Sequence, residues 1–226
     1  HWVSVWDAGG GVTWSSLEAP VMEMGGLWPG YVSQAHHGVT PHGYGHEFLR
    51  DPAQWEKGHI YSYALVSNFR TNFQPVQVAD ALFRYSLTSH RGDWCQGRAR
   101  DFGWAVATPL VSVCIVGPQE GSLPESASFC GVDQSNVLLL TMKGAEDGDG
   151  LIIRLAETEG RGTSVTVTVP FLKITQAFKT NLVEENEAIL PYDRHNVRVL
   201  LPANGIVTVR CRGARRWPEV TALLRC

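Results

Sequence analysis

Short segments in which apolar and polar residues alternate recur along this chain, and they constrain its fold more than any other feature. The clearest is residues 164–169, where Val alternates with Thr, so that every second side chain lies on one face of a β-strand. Apolar runs also occupy residues 137–140, 151–155 and 206–210, with turn-forming residues between them. No segment has a convincing helical period. The sequence therefore predicts an all-β protein, an antiparallel β-sandwich of two packed sheets.

Turn signals extend this prediction to other parts of the chain. Three glycines at residues 9–11, between two β-prone segments, predict a hairpin. Residues 106–116 are predicted to form a further strand. Clustered acids at residues 144–150 predict a hairpin turn rather than a calcium loop, because the ligand spacing of an EF-hand is missing. An exposed face is expected for three glutamates, Glu184, Glu185 and Glu187.

Charge and composition narrow the classes of partner. Only 18% of the residues are charged, the formal net charge is -3, and there is no long basic run. Nucleic acid and an anionic membrane surface are therefore not expected as partners. The five cysteines are odd in number and widely spaced, so they are expected to be reduced. This favours a cytoplasmic location, in keeping with the lack of an Asn-x-Ser/Thr acceptor.

The chain of 226 residues is long enough for one large β domain or two small ones. We predict a domain over residues 1–210 and a C-terminal tail over residues 211–226. A long loop is predicted at residues 28–58, which are rich in glycine, aromatic residues and histidine. A structural or exposed role is favoured over metal binding for its four histidines, because no acidic or cysteine partner has suitable spacing. These histidines are His36, His37, His42 and His46.

A polar corner at residues 67–74 is the candidate binding site. It lies between two segments rich in aromatic and β-branched residues, and its amide, hydroxyl and guanidinium groups are of the kinds that hold sugar hydroxyls or brace a neighbouring domain. The alternative is that its asparagines only cap their own turn. The candidate residues are Asn68, Arg70, Thr71 and Asn72.

A second polar segment, residues 90–104, mixes charges of both signs with Trp94, Phe102 and Trp104. Such a segment can form a platform on which sugar rings stack. The alternative is a solvated loop held by Arg–Asp pairs worth under about 1 kcal/mol each. The sequence leaves both interpretations open, although the loop is the commoner structure.

Five stretches, in this order along the chain, resemble the C-terminal β region of family 38 α-mannosidases. They are GVT to APV (residues 11–21), Asn68 and TN (71–72) leading to FRYS (83–86), RLAETEG (154–160), NLVE (181–184) and IVTVR (206–210). The resemblance implies a β-sandwich that belongs in part to a galactose-mutarotase-like supersandwich. It also implies that an N-terminal catalytic domain of the same parent chain is the partner, and that mannosides or related carbohydrates are the ligands.

In that family, the catalytic aspartate, the general acid and the ligands of zinc lie in the N-terminal part, and none of those motifs occurs in this sequence. The resemblance therefore implies no cofactor here, a zinc ion in the missing part, and no glycoside hydrolysis by this chain alone. Asn68, Thr71 and Asn72 are expected to face the sugar cleft or to brace the zinc-bearing domain, and Arg70 to pair with an acid across the domain boundary. Glu157 and Glu159 are interpreted as structural carboxylates beside Arg154 rather than as catalytic groups.

Three other functions stay open on the sequence. Eight tryptophans and two aromatic segments favour a free-standing carbohydrate-binding module. A purely structural domain would instead dock an exposed apolar surface onto partner domains. A mutarotase-type enzyme would need a paired His and Glu in strands, and no such pair stands out.

Overall fold

The computed structural model of the chain describes residues 1–24, 58–65, 78–118 and 125–215. Contacts divide the chain into two units, His1–Cys114 and Ile115–Cys226. Apart from one short helix, the regular structure described is antiparallel β-sheet, so the predicted all-β class is confirmed. The boundary at residue 210 that the sequence suggested stays a prediction. No described helix has the length and apolar character needed to cross a membrane.

The first unit contains a three-stranded sheet and a separate strand pair. Its strands are β1 (Trp2–Asp7), β2 (Gly10–Ser15), β3 (Met22–Met24), β4 (Ile60–Ser62) and β5 (Ser86–His90). Strands β1 and β2 form the predicted hairpin, with Val5 opposite Val12. Strand β5 pairs with the other edge of β2, which gives the order β1-β2-β5, and β3 pairs with β4.

One helix, α1 (Ala99–Ala107), corrects the expectation that residues 90–104 form a loop and that no helix exists. Its buried positions are Ala99 and Gly103, four residues apart. A Cβ atom at Gly103 would lie 2.3 Å from the Trp2 ring, so only glycine lets the helix approach β1 this closely. Because the buried face consists of such small residues, the sequence carries no apolar helical period there.

The predicted strand at residues 106–116 is wrong. Helix α1 takes its first residues, and residues 108–118 lie outside all strands. Their apolar side chains are largely exposed, from 70% at Ile115 to 100% at Leu110. Strand propensity without a neighbouring strand does not produce a strand, because the backbone groups need a sheet partner.

The second unit is built from eight strands. They are β6 (Gly131–Val132), β7 (Val137–Gly144), β8 (Leu151–Glu157), β9 (Thr163–Thr168), β10 (Leu172–Thr180), β11 (Asn186–Ile189), β12 (Asn196–Leu201) and β13 (Ile206–Arg215). A five-stranded sheet has the order β11-β10-β13-β8-β7, and a three-stranded sheet has the order β12-β9-β6. The last strand continues five residues beyond the end predicted for it at Arg210.

An apolar core lies between these two sheets. The alternation predicted at residues 164–169 is confirmed, since Val165, Val167 and Val169 are buried while Ser164 is exposed. Strands β8, β12 and β13 contribute Leu155, Val197 and Val209 to the same cluster. Fully burying each such side chain contributes about 1.5–3 kcal/mol. This core makes the second unit a β-sandwich, as predicted.

The described cysteines, Cys95, Cys114, Cys130 and Cys211, form no disulfide with one another. The expected reduced state stays a prediction. Cys211 is fully buried on β13. Burial raises the pKa of its thiol to about 12, so it packs as a neutral side chain.

Candidate functional site

The polar corner predicted as the binding site, with Asn68, Arg70, Thr71 and Asn72, lies outside the described residues. The same is true of the histidine-rich loop that contains His36, His37, His42 and His46. Both remain predictions. The sites described below are formed by other residues.

An open groove with a volume of about 930 Å³ lies against β1, β2 and β5 of the first unit. Its lining includes Ser4 and Trp6 on β1, the glycines of the hairpin turn, and His59 and His90. The Trp6 side chain is 48% exposed, and so presents part of its indole surface to solvent. Asp7, which also lines the groove, accepts a hydrogen bond of 2.7 Å from the Gly9 N–H.

Three polar side chains form a hydrogen-bonded row on the sheet beside this groove. The Thr13 hydroxyl donates to Ser4 Oγ over 3.1 Å, and Ser4 Oγ lies 2.9 Å from His90 Nε2. The row follows from the strand register, because Ser4 faces Thr13 on β2 and His90 faces Gly11. His90 Nδ1 is buried and has no hydrogen-bond partner among the described residues.

The groove combines an exposed indole with hydroxyl, imidazole and carboxylate groups. Such a mixture of an apolar surface and a few polar groups is typical of small-ligand sites. Trp6 is not among the residues predicted from the sequence, where a sugar platform was one interpretation of residues 90–104. The sequence signal for Trp6 is its position in a strand directly before a glycine turn, because a large side chain there lies at the edge of the sheet.

Glu157 is the most enclosed carboxylate described in the second unit, with 3% of its surface exposed. It lies at the end of β8 and accepts four hydrogen bonds of 2.8–2.9 Å. Three donors are the backbone N–H groups of Glu159, Gly160 and Asn204, and the fourth is Asn136 Nδ2. This carboxylate therefore ties the turn after β8 to the β12–β13 turn and to the start of β7.

The ionised form of Glu157 is stabilised by these contacts. Burial by itself would raise its pKa, but the hydrogen bonds from Asn204, Glu159 and Asn136 outweigh it and lower the pKa to about 2. The interpretation of Glu157 as a structural group is thus confirmed, although its partners are amides rather than Arg154. Glu159 pairs with Arg161 at 2.7 Å, and Arg154 instead donates to Thr208 Oγ1.

Arg210 lies on the outer face of the five-stranded sheet and holds two loops, with only 4% of its side chain exposed. One guanidinium nitrogen donates to both carboxylate oxygens of Asp147, at 2.9 and 2.7 Å, and to the Asp149 carbonyl at 2.9 Å. The other donates to the Glu184 carbonyl at 2.8 Å. The peptide N–H of Asp149 and the Arg210 side chain lower the pKa of Asp147. The predicted hairpin turn is confirmed, and Asp147 is the acid of this turn whose carboxylate binds Arg210.

Glu184 corrects the prediction of an exposed glutamate face, because its side chain is 7% exposed. Its carboxylate accepts from Lys143 Nζ at 2.7 Å and from the Glu146 N–H at 2.8 Å. Both contacts lower the pKa of Glu184, the Lys143 hydrogen bond most. Its φ of 70° turns the chain back over the sheet, where Arg210 and Lys143 can reach it. Glu185 and Glu187 are exposed as predicted.

Within the parts of the chain described, no three His, Cys, Asp or Glu side chains stand close enough to hold a metal ion. Three carboxylates near Arg210 in the second unit, those of Asp147, Asp149 and Glu184, are engaged by Arg210, Arg212 and Lys143. These described residues do not fit a zinc ion, which binds to nitrogen, thiolate and free carboxylate ligands.

Comparison with known protein families finds a match that lies within the second unit. Residues 136–209 match the model of the glycosyl hydrolases family 38 C-terminal beta sandwich domain. This range begins at Asn136, which holds Glu157, and ends one residue before Arg210. A search of the curated proteins finds no match to the chain. The matched model describes a β-sandwich, which agrees with the two packed sheets observed in this part of the chain.

Proposed function

We propose that this chain is the non-catalytic C-terminal part of a zinc-dependent retaining α-mannosidase of family 38, and that it completes one side of the carbohydrate cleft. The family match over residues 136–209 is the observation that carries the proposal. In this arrangement the partner is the N-terminal catalytic domain of the same parent protein. The ligands are mannosides or related sugars.

The proposed separation of this chain from the catalytic part follows from what retaining glycoside hydrolysis requires. Retention requires two carboxyl groups roughly 5–5.5 Å apart, one as nucleophile and one as acid and base, each with room for the substrate. Glu157 accepts four hydrogen bonds and is enclosed, so its carboxylate is committed to bracing turns. The reacting carboxylates and the zinc ion are accordingly assigned to the preceding catalytic part. Asn68, Arg70, Thr71 and Asn72 remain the proposed contacts to the sugar or to that part.

A free-standing carbohydrate-binding module is the second candidate, and the groove beside Trp6 favours it. An exposed indole can stack on the C–H face of a sugar, while Asp7 and His59 on the same lining can bond its hydroxyls. This function needs no catalytic domain. It differs from the first in requiring that the isolated chain bind sugar by itself.

Titration of the chain with methyl α-mannoside, followed by tryptophan fluorescence, separates the two functions. A cleft that is completed only by the catalytic domain gives no saturable quenching with this chain alone. A module gives saturable quenching, and Trp6→Ala then weakens binding about tenfold or more. Tyr85→Ala is the matched control, because Tyr85 is a similarly exposed aromatic residue outside the groove lining. Saturable binding that Trp6→Ala removes and Tyr85→Ala preserves would replace the proposed function by the second.

A further inference from the structure

The turn between β12 and β13 contains Asn204 followed by Gly205, the single Asn–Gly pair of the sequence. Asn204 has a φ of 54°, in the left-handed region that asparagine tolerates better than most residues. The turn is closed by the N–H of Gly205, which donates to the Pro202 carbonyl over 3.0 Å. Because glycine has no Cβ, the Gly205 nitrogen has no side chain of its own residue to hinder its reactions. An asparagine side chain is therefore attacked most readily in this dipeptide.

Deamidation of Asn204 needs no reactant except water. The Gly205 nitrogen gives up its proton and attacks Asn204 Cγ, so that an N–Cγ bond forms and the Cγ–Nδ2 bond breaks. Nδ2 leaves as ammonia with that proton, and the product is a cyclic imide. Water then opens the imide at either carbonyl, which gives aspartate or isoaspartate. The reaction requires no oxidant, reductant or cofactor.

Three hydrogen bonds hold the turn against this attack. The Gly205 N–H is engaged by Pro202, and the Gly205 carbonyl accepts from the Glu157 N–H at 2.9 Å. The Asn204 N–H donates to the Glu157 carboxylate at 2.8 Å. For the attack, the Gly205 nitrogen must leave the Pro202 carbonyl and rotate towards Asn204 Cγ. Because Glu157 binds the chain on both sides of the bond that must rotate, the turn has to open before the imide can form.

We propose that Asn204 is a site of spontaneous deamidation in this chain, and that Glu157 controls the rate by holding the turn closed. A Cβ atom at Gly160 would lie 3.6 Å from Asn204 Nδ2, so the Asn204 side chain lies beside the turn after β8. Deamidation puts a new carboxylate there, near the ionised Glu157, and like charges repel. Isoaspartate also adds a carbon atom to the main chain, which shifts Gly205 from its bond with Glu157. The modification therefore weakens the β-sandwich, whatever the function of the chain.

Incubation of the whole chain at mildly alkaline pH, followed by mass spectrometry of the proteolytic peptide that contains Asn204, measures the reaction. Deamidation should be about tenfold faster or more in Glu157→Ala, because the open turn is then more populated. Glu157→Gln keeps an acceptor oxygen and should give an intermediate rate, which preserves the test if the alanine variant does not fold. The matched control is Glu159→Ala. Glu159 belongs to the same turn but pairs with Arg161, so its variant should react at the rate of the unaltered chain.

Arg210→Met separates control by Glu157 from a general loss of stability. Arg210 holds the loops at Asp147 and Glu184 rather than the turn at Asn204. Its variant should therefore deamidate at close to the rate of the unaltered chain. Equal acceleration by Arg210→Met and Glu157→Ala would mean that unfolding of the whole unit governs the rate, and would overturn the proposal. An Asn204 that stays intact in every variant, even when the chain is unfolded in urea, would overturn it as well.

Discussion

Glu157→Ala is expected to lower the free energy of unfolding of the second unit by about 3–5 kcal/mol. The substitution leaves three backbone N–H groups and Asn136 Nδ2 without the carboxylate that they bond at 2.8–2.9 Å. These donors lie in buried or half-buried turns, where water replaces the lost acceptor poorly. Urea denaturation of the whole chain, followed by far-ultraviolet circular dichroism, measures the change.

Glu159→Ala is the matched control, because Glu159 belongs to the same turn and pairs with the exposed Arg161. Glu159→Ala should lower the free energy of unfolding by under about 1 kcal/mol. Equal losses in the two variants would mean that Glu157 has no special role.

Acid pH gives a second readout of the Glu157 substitution. The folded-state pKa, at about 2, lies below the ordinary value of 4.5, so the carboxylate contributes its full stability above pH 4.5. That contribution is lost as pH falls from 4.5 towards 2, with a slope of up to about 1.4 kcal/mol per pH unit. The unaltered chain should therefore lose stability over this window more steeply than Glu157→Ala. Identical slopes would contradict the hydrogen-bonded carboxylate.

Arg210→Met should lower the free energy of unfolding by about 2–4 kcal/mol. Methionine keeps much of the apolar stem but removes the guanidinium that holds Asp147, the Asp149 carbonyl and the Glu184 carbonyl. Asp147 is half-exposed and can regain water, whereas the carbonyls lose a charged donor at a buried position. Hydrogen exchange should therefore accelerate most in the loops at residues 145–149 and 181–185.

Arg212→Met is the control for this prediction. Arg212 lies two residues further along β13 on the same face and pairs with Asp149 at 2.6 Å, but 29% of its side chain is exposed. Arg212→Met should lower the free energy of unfolding less than Arg210→Met does, by under about 1 kcal/mol. If Arg210→Met is as stable as the unaltered chain, the loops are held by the other contacts of Lys143 and Arg154.

The alternation of apolar and polar residues predicted strands correctly where the apolar side chains are buried in the core. The strand predicted at residues 164–169 corresponds to β9 (Thr163–Thr168), one face of which is buried in the core, and the acidic turn before β8 forms a hairpin. The helix α1 was missed because its buried face consists of Ala99 and Gly103, which give no apolar period. Residues 106–116 were assigned to a strand on propensity alone, and propensity does not reveal whether a neighbouring strand exists.

The sites were harder to predict than the fold. The structural role of Glu157 agrees with the prediction, but two of its four donors, Asn136 and Asn204, are distant in sequence. Glu184 looked like an exposed glutamate, since nothing local shows that Lys143 and Arg210 reach its loop. The proposed sugar contacts at Asn68, Arg70, Thr71 and Asn72 remain a prediction from the family resemblance and the residue types.

Hydrolysis of a nitrophenyl α-mannoside tests most directly whether the reacting groups lie outside this chain. The purified chain, assayed with and without added zinc, is predicted to give no rate above the buffer blank. The proposed function also predicts that the same substrate is cleaved when a family 38 catalytic domain is supplied together with this chain. Saturable hydrolysis by the chain alone, retained through a second purification step, would contradict a non-catalytic C-terminal domain.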